Sequence, residues 1–145
     1  MNLFATAEDQ SHEEHILEHV KPHIEDFDSL TFEHQTGASL FDFHGFYTGV
    51  QVCEVDVKVR DAFSETFKDY FISTDKIHRM RAKPDLSFYM IFYFTKDRRV
   101  RVYNLRSCAL EEKEISFTHK RSGELIEKKV SSVPAGQFIF DAYIL

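Results

Sequence analysis

Several residue types that define specialised protein classes are scarce in this 145-residue chain. Its two cysteines, Cys53 and Cys108, are far apart and form no C-x-x-C metal or redox pattern, so we expect them to be small hydrophobic residues without a chemical role. Five glycines and three prolines exclude collagen-like and low-complexity chains. There is no run of eighteen apolar residues, and the first residues lack the basic start and apolar stretch of a signal peptide. We therefore expect a cytoplasmic protein that does not span a membrane.

The residues that are present indicate an ordinary globular protein. Hydrophobic residues make up 43% of the chain and charged residues 29%, which is outside the range of disordered sequences. The length is enough for one hydrophobic core without disulfides or structural metals. We expect a single domain over residues 1–145.

The net charge of −6 conceals a strong polarity along the chain. Residues 1–57 contain twelve Asp or Glu and a single base, Lys21, whereas residues 58–106 contain twelve Lys or Arg and six acids. Phosphate binding depends on the local field rather than on total charge, so the middle of the chain is a candidate polyanion-binding surface. The alternative is that the acidic and basic stretches neutralise each other across the fold.

The apolar pattern near the N-terminus predicts one helix. A capping box of Ser11 and Glu14 indicates its start, and Pro22 either ends it near residue 21 or bends it onward to residue 27. Its apolar residues recur every three or four positions, as on one face of a helix: Ile16, Leu17, Val20 and Ile24.

Alternating or continuous apolar runs predict strands over most of the remaining chain. Residues 61–83 are read instead as helical or partly irregular. The predicted strands are 30–33, 39–44, 50–60, 88–95, 100–105, 115–119, 125–130 and 137–145. This order indicates an α+β fold, a mixed sheet with helices before and within it.

The strand at 50–60 carries the strongest chemical signal. Its period of two places Asp56 and Lys58 on one face, together with Glu54. Asp42 lies on the preceding predicted strand and can approach Asp56 across a hairpin. Two converging carboxylates form a hard-oxygen site suited to Mg²⁺ or Mn²⁺, and a neighbouring lysine can position the water that attacks a phosphate. The alternative is a solvated strand face with cross-strand ion pairs.

These residues resemble the motif of the PD-(D/E)xK nuclease superfamily. The match consists of Phe41-Asp42, a gap, and Asp56-Val57-Lys58, set between a Glu-rich helix and the later apolar strands. The resemblance implies a restriction-endonuclease-like core over residues 11–105, a central mixed sheet flanked by helices. Residues 115–145 then add a β hairpin and a strand.

The same resemblance implies the function of a Mg²⁺-dependent endodeoxyribonuclease. Asp42 and Asp56 would hold the metal, Lys58 would orient the water, and the Val57 carbonyl would complete the coordination. The helix carboxylate found in many members would be Glu14 or Glu18. Members commonly form homodimers to cut two strands, and the small size resembles a phage or mobile-element enzyme by analogy.

Two clusters of basic residues follow the motif, one over residues 76–83 and one over residues 96–101. Guanidinium and ammonium groups in such clusters suit phosphate backbones without reading base sequence. The alternative is a soluble surface that balances the acidic first third. The candidate DNA-binding residues are Lys76, Arg79, Arg81, Arg98, Arg99 and Arg101.

The histidines give weaker signals. His44 shares the parity of Asp42 on its predicted strand, so it is either a contact to substrate or metal or a hydrogen-bonded structural residue. A second group forms a helical stripe that lacks the H-E-x-x-H spacing of zinc enzymes, and a solvated flank, a pH-sensitive surface and adventitious metal binding remain open for it. The stripe comprises His12, His15, His19 and His23.

Two other classes of function compete with the nuclease. One is a catalytically silent nuclease-like module that binds DNA or protein, such as a phage inhibitor of a host protein, whose acidic first third imitates nucleic acid. The other is an unrelated α+β interaction protein in which the strand at 50–60 exposes its charged face to solvent.

Overall fold

The computed structural model describes residues 7–37, 39–119 and 121–144, with side chains described from residue 12 onward. Its helices are α1 (Ala7–Val20), α2 (Glu25–Asp28) and α3 (Thr74–Ala82). Its strands are β1 (Thr31–His34), β2 (Phe43–Tyr47), β3 (Val50–Arg60), β4 (Asp69–Ser73), β5 (Ser87–Phe94), β6 (Arg99–Asn104), β7 (Glu111–Thr118), β8 (Leu125–Pro134) and β9 (Phe140–Tyr143). No helix in this part of the chain is long and apolar enough to cross a membrane.

The larger of two sheets has six strands in the order β1-β2-β3-β5-β6-β9. Its neighbouring strands run antiparallel except for β3 and β5, which run parallel because β4 and α3 provide the crossover between them. The prediction of an α+β fold with a mixed sheet is confirmed. β3 and β5 form the centre of this sheet, so a side chain on β3 has neighbours on both sides.

The smaller sheet has three strands in the order β4-β8-β7. β4 corrects the prediction of a helical or irregular segment over residues 61–83. Tyr70 and Ile72 are buried on this strand, while Phe71 between them is exposed. This alternation has a period of two, but it lasts only five residues, which is too short to stand out in a segment rich in charges and aromatics.

Two hydrophobic cores lie on opposite faces of the six-stranded sheet. One packs α1 and α2 against residues such as Val55 and Ile91, and the other packs α3 and the smaller sheet against residues such as Met90 and Phe92. β3 contributes to both faces, because Val55 and Val57 lie beneath α1 while Glu54 and Asp56 lie on the side of α3. Glu54 and Asp56 are each 1% exposed, so the interpretation of a solvated charged face is wrong for these two carboxylates.

The first helix begins earlier than predicted and ends close to residue 21, the first of the two predicted ends. α1 includes Ser11 within it rather than beginning there, so the proposed capping box lies inside the helix. It ends at Val20, and a 3-10 turn at Lys21–His23 carries Pro22 in its first turn. The short α2 then follows, so the proline separates two helices instead of bending one.

The second strand also lies further along the chain than predicted. β2 is Phe43–Tyr47 rather than residues 39–44, so Asp42 is the residue just before the strand and Gly45 lies within it. A Cβ atom at Gly45 would stand 2.5 Å from Cys53 Sγ and 2.9 Å from Phe32 Cε1. The close packing of β1, β2 and β3 therefore depends on the missing side chain.

Gly45→Ala is expected to destabilise the protein, because the added methyl group must displace two packed side chains. Overpacking of this kind costs about 2 kcal/mol, which lowers the Tm of a chain of this size by roughly 6 °C. Thermal unfolding followed by circular dichroism measures this change. Gly136→Ala is the matched control, because its Cβ meets nothing within 4 Å, and an equal Tm loss in both variants would contradict the packing argument.

Candidate metal centre

Asp42 and Asp56 meet where β2 begins beside the middle of β3. Because Asp42 precedes the strand, its side chain turns toward the backbone of β3, and its Oδ2 accepts a hydrogen bond of 2.9 Å from the Val57 amide. The Asp42 carbonyl accepts a second bond of 2.6 Å from the Gln35 amide after β1. The carboxyl group is thus fixed at the point where three strands come together.

Two ammonium groups flank Asp56. Its Oδ2 lies 3.3 Å from Lys58 Nζ and 3.3 Å from Lys76 Nζ. Burial raises the pKa of Asp56, but attraction to the two lysines outweighs burial and holds the pKa below its usual range. Asp56 is therefore a buried carboxylate that stays ionised.

Lys76 and Lys58 differ in their access to solvent. The Lys76 side chain is 3% exposed and also donates a 2.7 Å hydrogen bond to the Leu40 carbonyl, whereas the Lys58 side chain is 27% exposed. Burial lowers the pKa of Lys76, and the charge of Asp56 acts in the opposite direction. Lys76 is thus a buried counter-charge supplied by α3, while Lys58 remains accessible from solvent.

The pKa of Asp42 is shifted in the opposite direction from that of Asp56. Burial and the negative charge of Asp56 together raise the pKa of Asp42 to about 8. Asp42 therefore keeps its proton near neutral pH, while Asp56 beside it is ionised. A divalent cation that replaced this proton would leave both groups ionised.

A third carboxylate and a histidine complete the cluster. Ligand atoms of Glu13, His34 and Asp42 lie within 4.8 Å of one another. His34 at the end of β1 places Nε2 3.3 Å from Glu13 and Nδ1 2.9 Å from Glu14, and its ring stacks on Phe43. Glu13, His34 and Asp42 are thus close enough to share one cation, and the backbone bond of Asp42 to Val57 places this group next to Asp56.

The helix carboxylate at this site is Glu13, whereas the sequence singled out Glu14 and Glu18. Glu14 contacts His34 instead, and Glu18 is exposed beside a groove of about 440 Å³. A signal for Glu13 is present in the sequence, because it precedes the buried Ile16 by three residues and Leu17 by four, which places it on the packed face of α1.

The donor set fits a hard divalent cation such as Mg²⁺ or Mn²⁺. Carboxylate oxygens are the ligands that these ions prefer. Asp56 Oδ2 is buried without a well-aligned hydrogen bond, although both ammonium groups lie at 3.3 Å. A buried acceptor in this state retains the capacity to bind one more positive partner.

Glu54 and His44 belong to a separate structural cluster. Arg79 holds Glu54 with two hydrogen bonds, of 2.7 and 3.1 Å, and Gln51 donates a third of 3.2 Å. His44 Nε2 lies 3.6 Å from the same carboxylate. Glu54 is therefore fully engaged in fastening α3 to β3 and does not share the Asp42–Asp56 centre.

Most of the candidate DNA-binding residues are occupied within the fold. Arg99 binds Asp141 through two hydrogen bonds, and the buried Arg101 contacts Glu65 and Tyr70. Lys76 and Arg79 are held by Asp56 and Glu54 as described above. Of the six candidates, only Arg81 and Arg98 are exposed side chains.

The histidine stripe does not converge on a metal in the described residues. His12 contacts the edge of Tyr93, and His23 stacks on Phe140 at 5.6 Å between ring centroids. The metal-competent group found among the described residues contains none of the stripe. His34, which the sequence reading passed over, is the histidine that reaches the acidic centre.

The chain matches no known protein-family model, and no curated protein shows significant sequence similarity to it.

Asp42→Asn is expected to stabilise the metal-free protein at alkaline pH. The pKa of about 8 lies above the ordinary value of 3.8, so the wild type loses stability as the pH rises between these values and carries the full penalty above pH 8. Asparagine keeps an oxygen for the Val57 amide and has no proton to lose. At pH 9 in EDTA its Tm should exceed that of the wild type by at least about 3 °C, roughly 1 kcal/mol.

This difference should shrink as the pH is lowered toward 5, where the wild-type carboxyl group keeps its proton. Asp28→Asn serves as the control, because Asp28 is exposed on α2 and its substitution should leave Tm unchanged at either pH. An Asp42→Asn protein that is no more stable than the wild type at pH 9 would show that the two carboxylates do not repel each other.

Arg79→Ala is expected to destabilise the protein because it leaves the buried Glu54 charge without its main partner. Removing one member of a buried pair costs several kcal/mol, and the partly exposed guanidinium reduces this to about 2 kcal/mol. Arg81→Ala, on the same helix and exposed, should change stability by less than about 0.5 kcal/mol. Urea denaturation of the two variants measures both values, and equal stabilities would exclude a structural role for Arg79.

Proposed function

We propose that the chain is a Mg²⁺- or Mn²⁺-dependent nuclease that hydrolyses phosphodiester bonds in DNA. The observation that carries this proposal is that Asp42, bound to the Val57 amide, lies beside the buried Asp56, whose carboxylate is 3.3 Å from the ammonium of Lys58. Two neighbouring buried carboxylates repel each other, and a bound cation relieves this repulsion. Carboxyl groups with perturbed pKa values are therefore common at functional sites.

The residues divide the chemistry among them. Asp42, Asp56 and Glu13 would hold the metal. When bound, such a metal polarises the phosphate and lowers the pKa of a water molecule. Lys58 would orient the attacking water and offset the charge that builds on the phosphate oxygens. The fixed positions of these groups on packed strands favour this role, because little reorganisation is needed at the moment of reaction.

The order of the elements also supports the proposal. A helix, three antiparallel strands, a crossover with α3 and a strand parallel to β3 follow one another in the chain. This is the order that the resemblance to restriction-endonuclease-like cores implies, with the D-x-K residues on the third strand, although Asp42 lies just before the second strand rather than on it. The additional strand β4 within the crossover leads into the smaller sheet.

One observation favours the silent module as a second candidate. Lys76 already places a buried positive charge 3.3 Å from Asp56, so this carboxylate is neutralised without any metal. A protein that had lost its catalytic function would keep such a pair for stability alone. Metal binding separates the two candidates, because the silent module has no need of a cation at Asp42.

Cleavage of supercoiled plasmid and of a synthetic four-way junction, with Mg²⁺, Mn²⁺ or EDTA, tests the nuclease. The wild type should cut only with the divalent ions. Lys58→Ala is expected to lower the rate by at least about 100-fold, because it removes a group that positions the nucleophile, and Asp56→Asn should abolish cutting. Calorimetric titration should show Mg²⁺ binding to the wild type and none to Asp56→Asn.

Lys128→Ala is the matched control for the lysine substitution, because Lys128 is exposed on β8, and it should cut at the wild-type rate. Circular dichroism of each variant establishes that the fold is intact. A wild type that neither binds Mg²⁺ nor cuts either substrate would contradict the nuclease and leave the silent module. Undiminished cutting by Lys58→Ala would contradict the role assigned to that lysine.

A further inference from the structure

An aromatic pocket of about 250 Å³ lies on the side of the six-stranded sheet that packs against the smaller sheet. Its walls include Phe92 and Phe94 of β5 and Tyr70 of β4. In the parallel register, Phe92 lies beside Lys58 and Phe94 lies beside Arg60. Adjacent strands are about 4.8 Å apart and alternate residues on one strand about 6.6 Å apart, so the pocket begins next to the lysine of the proposed catalytic site.

Exposed phenylalanines surround the mouth of this pocket. Phe67 and Phe71 line it and are 51% and 46% exposed, and Phe63 in the same segment is 54% exposed. Single exposed apolar side chains are common on soluble proteins. Three phenylalanines within nine residues, two of them at one pocket, form a concentration of aromatic surface that contributes little to the core.

Arg60 supplies a positive charge at the same place. Its guanidinium lines the pocket and donates a 3.3 Å hydrogen bond to the neighbouring Val59 carbonyl. Among the described residues it forms no ion pair, in contrast to Arg79 and Arg99, whose charges are paired with carboxylates. Asp69 also lines the pocket, and its carboxylate lies 4.0 Å from Lys113.

We propose that this pocket receives an unpaired base of the DNA strand that is cut, while Arg60 contacts the adjoining phosphate. The proposal rests on the proposed nuclease function and deepens it: the substrate is DNA that is single-stranded or locally unpaired beside the scissile bond. A base in a duplex is stacked and paired on both sides and is not free to enter a pocket.

The chemistry of the pocket favours a nucleobase as its occupant. Every base has a π-face that stacks on aromatic side chains regardless of sequence, and an arginine nearby holds the backbone. A volume of about 250 Å³ is below the range of about 300–1,000 Å³ typical of sites for larger organic ligands, which suits one planar ring system. The groove beside His34 offers no equivalent path, because it carries the acidic Glu14 and Glu18, which repel phosphates.

Anisotropy of a fluorescent single-stranded oligonucleotide, with Ca²⁺ in place of Mg²⁺, measures the base contact without requiring cleavage. The wild type should bind the single strand more tightly than a duplex of the same sequence. Phe71→Ala and Phe67→Ala should each weaken single-strand binding by about tenfold, and Arg60→Ala should weaken it and reduce its salt dependence. Phe117→Ala is the matched control, because this phenylalanine is 43% exposed on β7 of the smaller sheet, and it should bind as the wild type does.

Cleavage assays then separate the two proposals. The wild type should cut single strands or mismatched duplexes faster than perfect duplexes, and Phe71→Ala should lose this preference. Equal cutting of paired and unpaired DNA, unaltered in Phe71→Ala, would overturn the base pocket and leave the nuclease standing. Oligonucleotide binding that depends on Phe71 without any cutting would overturn the nuclease and leave the pocket standing. A dimer that Phe71→Ala converts to monomers, with single-strand binding unchanged, would overturn the pocket in favour of a second copy of the chain.

Discussion

The buried charge of Asp56 is the constraint on which the central part of the structure depends. A carboxylate that is 1% exposed in the middle of a sheet costs several kcal/mol unless opposite charges accompany it. Lys58 supplies one counter-charge from the same strand, and Lys76 supplies the other from the helix that makes the crossover. The parallel pairing of β3 with β5 requires a crossover, and α3 in this crossover lies over the carboxylate. The topology of the sheet therefore supplies the counter-charge of Asp56.

Glu54, two residues before Asp56 on β3, is also a buried carboxylate paired with a cation of α3. It is buried on the same face and takes its counter-charge from Arg79, one helical turn beyond Lys76 on α3. Two carboxylates spaced by two on a strand thus face two cations spaced by three on a helix. This double match sets the position of α3 along β3, and it leaves Asp42 as the carboxyl group without a cation of its own.

The sequence predicted the contacts that lie within β3, but not those between different elements. The alternation at residues 50–60 identified β3 with its observed limits and placed Asp56 beside Lys58, because a period of two is a property of the strand itself. Glu13, His34 and Lys76 come together only through the packing of α1, the end of β1 and the crossover helix, and no local pattern reports such contacts. Asp42 was identified, but its place before β2 was not, because the strand boundary depends on how closely Gly45 lets β1 and β3 approach.

The charge polarity of the chain does not report which charges are paired within the fold. Counting acids and bases along the sequence reveals neither burial nor partners, and the structure pairs the acidic first third with the basic middle in its interior, as Glu54 with Arg79 illustrates. Mutual neutralisation therefore applies to the buried pairs, whereas a polyanion-binding surface stays a prediction for the exposed bases. Arg60, which the counting did not single out, keeps its charge at the surface because no carboxylate lies near enough among the described residues.

The position of Lys76 affects whether the protein can fold before an ion binds. An ammonium group that belongs to the chain compensates Asp56 from the moment α3 packs, so the native state forms without waiting for an ion to arrive from solution. In the proposed nuclease, a divalent cation would bind to a scaffold that is already folded and would displace the proton of Asp42. In the proposed nuclease, folding and metal supply would thereby be uncoupled, and a scarcity of divalent ions would leave the protein folded but without activity.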